Sequence, residues 1–237
     1  MPKGPNAAAA KLAVASLSRP ERALLLQRFF RTGRGEYAEG DRFLGLSMPE
    51  QRVVARQFRD LPLVEIQKLL DSPFHEHRMI ALLMLLDQHQ RADTNSKEKL
   101  HRFYVKNLAS VNNWDLVDAS AGTLVGQHLA GNAALLSKLT QSKNLWHRRV
   151  AIISTFAELR AGRTALTFQV SENLLGDRHD LIHKAVGWLL REAGKRSQAD
   201  LLEFLRSHYD RLPRTTLRYA IERLDVSERK KWLSCAQ

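Results

Sequence analysis

The sequence predicts an all-α protein built as a helical-repeat solenoid. Apolar residues recur at helical period along nearly the whole chain, proline and glycine punctuate the joints, and one short motif returns about every 35 residues. No run of β-branched alternation marks a strand. With 237 residues, 44% hydrophobic and 26% charged, the chain can bury a real core, and disorder is excluded as its main state.

The elements follow in order. Glu21 to Arg31, Pro49 to Asp60 and Leu61 to Leu70 are amphipathic. Ser47 ahead of Pro49 supplies a side-chain N-cap, with proline in the first turn where its missing N–H costs nothing. Longer apolar-faced helices are expected at Phe74 to Gln90, Lys97 to Leu108, Asn144 to Arg160, Asp180 to Ala193, Ser197 to His208 and Arg214 to Leu224. The polar joints Ala92 to Lys97 and Gly194 to Gln198 have ordinary loop length, so one domain over 1–237 is expected, with 1–10 a frayed tail. Lys11 interrupts the alanine run Ala7 to Ala10 too early for a signal peptide. The longest stretch without charge, Ala119 to Ser137, carries Gly122, Gln127, His128, Gly131 and Asn132 and is too polar to span a bilayer, so a soluble protein is expected.

The returning motif is a basic residue followed three later by a small or apolar one: Arg78/Ala81, Arg148/Ala151, Lys184/Gly187, Arg218/Ile221. In a curved stack of helix pairs these cations would form a ladder along a concave basic face; otherwise they only solvate helix ends. Lys and Arg total 37 against 25 Asp and Glu, and the resulting charge of +12 favours the ladder and an anionic partner.

Other chemistries lack their parts. The single cysteine, Cys235, allows no internal disulfide and no zinc-finger set, points to a reducing compartment, and has no fixed base beside it to act as a nucleophile. His75 and His77 flank Glu76, and His179 and His183 are four apart, but no third and fourth ligand stands at metal-site spacing. No metal and no cofactor are expected.

In Asn112-Asn113-Trp114-Asp115-Leu116-Val117-Asp118, two carboxylates and an indole share one helical turn, with Trp114 and Asp118 on one face. A carboxylate beside an aromatic plane suits stabilisation of a cation. Asp115 also reads as a dipole-favoured charge near a helix start, and Trp114 as a core residue. Trp146 and Trp188 occupy matching places in Asn144-Leu-Trp-His-Arg-Arg-Val-Ala and His183-Lys-Ala-Val-Gly-Trp-Leu-Leu-Arg-Glu192. Gly187 lets a helix or a ligand backbone come close beside Trp188, while Lys184 and Arg191 add charge on adjacent turns, a pattern suited to a sugar-phosphate chain. Trp146 and Trp232 read as wedges between repeats.

Those three strings, in this order and spacing, resemble the bacterial DNA alkylation-repair glycosylases of the AlkD type, built of HEAT-like repeats. The likeness runs from about Glu21 to about Leu224. It implies that Asp118 is the catalytic carboxylate, that Trp114 and Trp188 pack against the deoxyribose of the damaged nucleotide, and that Arg149 meets the DNA backbone. Lys184, Arg191 and Arg148 are added from place and charge. Tyr37, in the loop Gly33-Arg-Gly-Glu-Tyr-Ala-Glu-Gly-Asp41, is similar in setting to a glycine-rich segment of the family and is expected to help hold DNA; no strand precedes that loop, as a dinucleotide-binding glycine motif would need. Where the family can carry a second tryptophan before Trp114, this chain has Asn113, a departure that bears on substrate range.

The resemblance implies action on double-stranded DNA carrying cationic alkylated purines such as 7-methylguanine or 3-methyladenine, with bulky adducts tolerated; a cytoplasmic, nucleoid-associated protein is expected, and a monomer is the simplest expectation for a solenoid that clamps a duplex. It would hydrolyse the N-glycosidic bond without flipping the base; no strand nicking is expected, because the sequence places no buried lysine beside Asp118. A purine alkylated at a ring nitrogen departs neutral and needs no general acid, so one carboxylate suffices. The rival expectations are a non-catalytic scaffold of the same fold that binds nucleic acid or an acidic protein, and a repeat protein that binds RNA.

Overall fold

The structure is a computed structural model that describes residues 5–130 and 132–234; Cys235 and residues 1–4 lie outside the described residues. The described residues are all-helical. In chain order the helices are α1 Ala7–Ala15, α2 Pro20–Phe29, α3 Met48–Gln57, α4 Leu63–Leu70, α5 His75–Arg91, α6 Thr94–Lys106, α7 Trp114–Leu124, α8 Ala133–Thr140, α9 Leu145–Ser154, α10 Phe156–Arg160, α11 Ala165–Leu174, α12 Asp180–Gly194, α13 Gln198–His208, α14 Arg214–Ala220 and α15 Val226–Ser234. No strand occurs among the described residues. The one sheet-like feature is a lone backbone pairing, in which Arg42 N–H donates to Pro73 O at 3.2 Å and His75 N–H donates to Arg42 O at 2.8 Å. No helix among the described residues is long and apolar enough to cross a membrane.

Packing divides the chain into two compact units, Met1–Ser120 and Ala121–Gln237. The division falls inside α7, within continuous helix, which is why no composition shift or proline-rich joint announces it.

The first unit is organised on α5, which packs against α3 and α4 and buries Met79, Ile80, Leu82, Met84 and Leu85. α3 starts as the sequence anticipates: Ser47 accepts from Glu50 N–H, and the Glu50 carboxylate reaches back to Ser47 N–H at 2.8 Å. The expected tail over residues 1–10 is corrected from Ala7 onward. Asn6 caps α1 by accepting from Ala9 N–H, Ala7 N–H donates to the Glu65 carboxylate at 2.9 Å, and Ala7, Ala10 and Val14 are buried. Small side chains let this helix pack closely on α3 and α4.

The second unit is organised on α12, which packs against α9, α11, α13 and α14. Asn144 to Arg160, expected as one helix, breaks at Thr155 into α9 and α10. Ser154 and Thr155 turn their hydroxyls back onto Ala151 O and Ile152 O, each at 2.8 Å, which competes with the regular ladder. Helices α8, α11 and α15 were not anticipated. α15 buries none of its residues, so it leaves no apolar stripe to read.

The first two members of the returning motif share one local structure, and their cations turn inward. Arg78 and Arg148 are the fourth residues of α5 and α9. Each donates to the carbonyl six residues back, Arg78 to Ser72 O and Arg148 to Ser142 O, both at 2.9 Å. Arg78 also pairs with Asp41, and Arg148 with Asp177 at 2.5 Å. The preceding histidines repeat as well, His77 on Ser72 Oγ at 2.7 Å and His147 on Ser142 Oγ at 3.1 Å. Arg78 is 4% exposed, so the expected ladder is corrected there: a cation whose partner carboxylate lies 37 residues away in sequence is a joint, not a surface charge.

Candidate active site

Trp114 and Asp118 open α7, and both are half-buried. The Trp114 ring stacks on Phe30 with centroids 5.3 Å apart and planes 19° from parallel, and meets Phe29 edge-on at 6.1 Å. Behind it lies a small apolar cluster of Ala23, Phe30 and Phe43. Tyr37, from the glycine-rich loop, accepts from the Trp114 indole N–H, and burial raises its hydroxyl pKa. The first unit thus brings Tyr37 onto Trp114, one turn before Asp118 on α7, a contact the sequence reading did not include.

Under α7, Tyr104 is fully buried and its hydroxyl is bonded at 2.8 Å to Ser120 Oγ, which donates to Leu116 O at 2.6 Å. Burial raises the Tyr104 pKa, and the nearby Asp118 carboxylate adds to the rise. Asp118 therefore stands on a turn fixed from below by an un-ionised phenol.

The start of α7 is held by a network that sequence reasoning missed. His75 at the head of α5 is 2% exposed; its Nδ1 meets Asp41 Oδ2 at 3.1 Å and its Nε2 meets Asp115 Oδ2 at 2.9 Å. Burial alone would lower the imidazole pKa, but the Asp115 and Asp41 carboxylates outweigh it and lift the value to about 9. Asp41 also accepts from Arg78 and from Asn113 Nδ2 at 3.2 Å, and Asn113 Oδ1 accepts from Trp114 N–H at 2.8 Å. Two carboxylates and two cations balance in this buried cluster. The residue in place of a second tryptophan, Asn113, is fully buried and ties Asp41 to the first turn of α7. The histidine spacing that invites a metal reading was the available signal; its partners come from 34 and 40 residues away.

Next to His75, Glu76 is completely buried and accepts from the backbone N–H groups of Leu44, Gly45 and Leu46 at 2.8 to 3.3 Å. Gly45 has φ +90, and a side chain there would run into Arg19 O.

In the second unit, Trp188 is half-buried on α12, its ring 5.8 Å from Phe156. Gly187 beside it serves helix packing: a Cβ would come within 2.6 Å of Thr216 O on α14. Of the cations expected on the DNA backbone, Lys184 is the most accessible, its side chain 42% exposed and 2.7 Å from Asp180, which it holds below the ordinary carboxylate pKa. Arg191 pairs with Glu222 and lies 3.5 Å from Glu192. Arg148 is spent on Asp177 and two carbonyls, Ser142 O and Lys143 O. Arg149 is 5% exposed and donates to Leu181 O at 2.5 Å, tying α9 to the head of α12. Among the described residues no group of three or more His, Cys, Asp or Glu side chains could hold a metal ion.

The profile of a family described as DNA alkylation repair enzyme matches residues 10–224. The chain belongs to the DNA alkylation repair enzyme family. A solved structure, a predicted DNA alkylation repair enzyme from Enterococcus faecalis, is similar at a TM-score of 0.70 and 20% identity, over 88% of this chain and 97% of that one. At that identity the likeness speaks for the fold alone. No curated protein sequence matches. Membership assigns the chain a role in repair of alkylated DNA, with DNA as the substrate.

Proposed function

We propose that the protein is a DNA glycosylase of the AlkD type that hydrolyses the N-glycosidic bond of cationic alkylated purines, with Asp118 as the catalytic carboxylate. The observation that carries this reading is the first turn of α7, where a stacked, half-buried Trp114 and the Asp118 carboxylate lie four residues apart on one helical face.

Alkylation at a ring nitrogen leaves the purine positive. When the bond from C1′ to that base breaks, its electron pair neutralises the base, which leaves without a proton donor. The deficit falls on the sugar as an oxocarbenium ion. Asp118 stabilises that cation and orients the water that adds to C1′, and the released proton passes to the carboxylate or to solvent. The ring faces of Trp114 and Trp188 each add cation–π attraction of about 0.5 to 2 kcal/mol.

Phosphate contacts supply most of the binding energy in this reading, which suits a chain of charge +12. Lys184 is the first candidate, because its exposed pair with Asp180 costs little to exchange. Arg191 and Tyr37 follow. Arg148 and Arg149 act by keeping α9 and α12 in place for Trp188. The lesion stays stacked, and choice of lesion follows the weakness of the cationic glycosidic bond.

The test is a duplex with a single 7-methylguanine incubated with wild type and with Asp118→Asn. Wild type releases free base and leaves alkali-labile abasic sites, and Asp118→Asn does not. No release by either at saturating binding would replace this reading with a non-catalytic DNA-binding scaffold.

A further inference from the structure

The buried histidine at the head of α5 is not consumed by the chemistry above, yet it sits beneath it. Both of its ring nitrogens face carboxylate oxygens, Asp41 at 3.1 Å and Asp115 at 2.9 Å. A neutral imidazole has one N–H and one lone pair, so it can donate to only one of them; the other contact would set lone pair against lone pair in a dry site. The geometry therefore requires the imidazolium.

What that cation holds is specific. Asp115 lies between Trp114 and Asp118 and also accepts from Leu116 N–H at 2.8 Å. The ring stacks on Phe43 with centroids 4.6 Å apart and lies 5.1 Å from Phe30, the ring on which Trp114 stacks. One side chain thus grips the first turn of α7 through a carboxylate and supports Trp114 through a file of rings. We propose that His75, as an imidazolium clamped between Asp41 and Asp115, is the positioning residue that sets Trp114 and Asp118 for excision. The proposal rests on the glycosylase reading of those two residues and adds a control to it.

The surrounding charges fix how the clamp answers to pH. Asp41 comes from the loop before α3, Asp115 from α7, and Arg78 from α5 itself, where it pairs with Asp41; Tyr37 lies within electrostatic reach of both Asp115 and Arg31. The folded-state value is raised from 6.5 to about 9, so the clamp is complete below the ordinary histidine value and is lost as pH rises through about 9. Asp115→Asn removes this dependence, because an amide can accept from the charged ring or donate to the neutral one.

The experiment measures single-turnover base release from a 7-methylguanine duplex by wild type, His75→Gln and Asp115→Asn across the alkaline range, with duplex affinity and hydrogen exchange of the 112–120 segment recorded for each. Taking each variant's rate as a ratio to wild type on the same duplex cancels titration of the lesion. His75→Gln is expected to release base roughly ten- to hundred-fold more slowly with little change in affinity, as misplaced groups do. Asp115→Asn gains on wild type as pH rises through about 9. Exchange in 112–120 rises in His75→Gln while α12 stays protected. Equal alkaline profiles for wild type and Asp115→Asn, or unchanged exchange at 112–120 in His75→Gln, would overturn the clamp. Absence of base release from wild type would instead overturn the glycosylase reading, and the exchange measurement would still decide the clamp.

Discussion

Gly187 on α12 faces Thr216 on α14 so closely that a Cβ on the glycine would lie 2.6 Å from the threonine carbonyl oxygen and 2.5 Å from Tyr219 Cβ. Both obstacles belong to helix α14 and cannot swing aside. Gly187→Ala is therefore expected to destabilise the protein by about 1–3 kcal/mol, read as a lower urea midpoint at constant slope. The same change should slow base release, because Trp188 is the next residue on the helix that must shift.

Arg78 and Asp41 form a buried ion pair; without Arg78 the Asp41 carboxylate keeps only His75 and Asn113, and without Asp41 the guanidinium keeps only the Ser72 carbonyl. Arg78→Ala is expected to cost about 3–5 kcal/mol in equilibrium unfolding. The cost should fall when Asp41→Asn is combined with it, and a double-mutant cycle checks the coupling.

His77 works in the opposite sense to its neighbour His75. Burial, helped by Lys11 and Arg78, depresses its pKa from 6.5 to about 4. The neutral ring on Ser72 is thus a stabilising state above pH 6.5, and that stability is lost as the pH falls towards 4. Melting temperature measured against pH should drop across this window in wild type and less in His77→Gln.

Trp114→Ala and Trp188→Ala are each expected to lower the excision rate by between about two- and thirtyfold, the range that one cation–π contact supplies. Trp114→Phe should keep most of the rate, because a phenyl ring can hold the stack on Phe30. Single-turnover assays at saturating enzyme separate these losses from weaker binding.

Duplex affinity should fall steeply with salt, as it does when cations displace condensed counterions. Lys184→Ala should flatten the slope of log affinity against log salt. Arg149→Ala should instead lower stability, because Arg149 is buried on Leu181 O.

Much of this was legible in the chain. Ser47, Pro49 and the apolar faces of α3, α5, α12 and α13 are local signals, and local signals survive in one dimension. The pairing of Trp114 with Asp118 is local too, being a single helical turn. α1 was hidden because alanines carry little amphipathic contrast, and α15 because it buries nothing. The inward roles of Arg78, Arg148 and Arg149 were hidden for a different reason: a cation reads as surface until its partner is known, and these partners lie 29 to 37 residues away. His75 was visible as a histidine beside Glu76, but nothing in the sequence brings Asp41 and Asp115 to its two nitrogens.

Glu76 has one more consequence. Three successive amide hydrogens at Leu44, Gly45 and Leu46 converge on its carboxylate, the arrangement by which many proteins receive a phosphate. Here the receptor is filled from within by the chain's own anion. The main-chain donors of residues 44–46 are therefore already taken, and no outside anion finds them free.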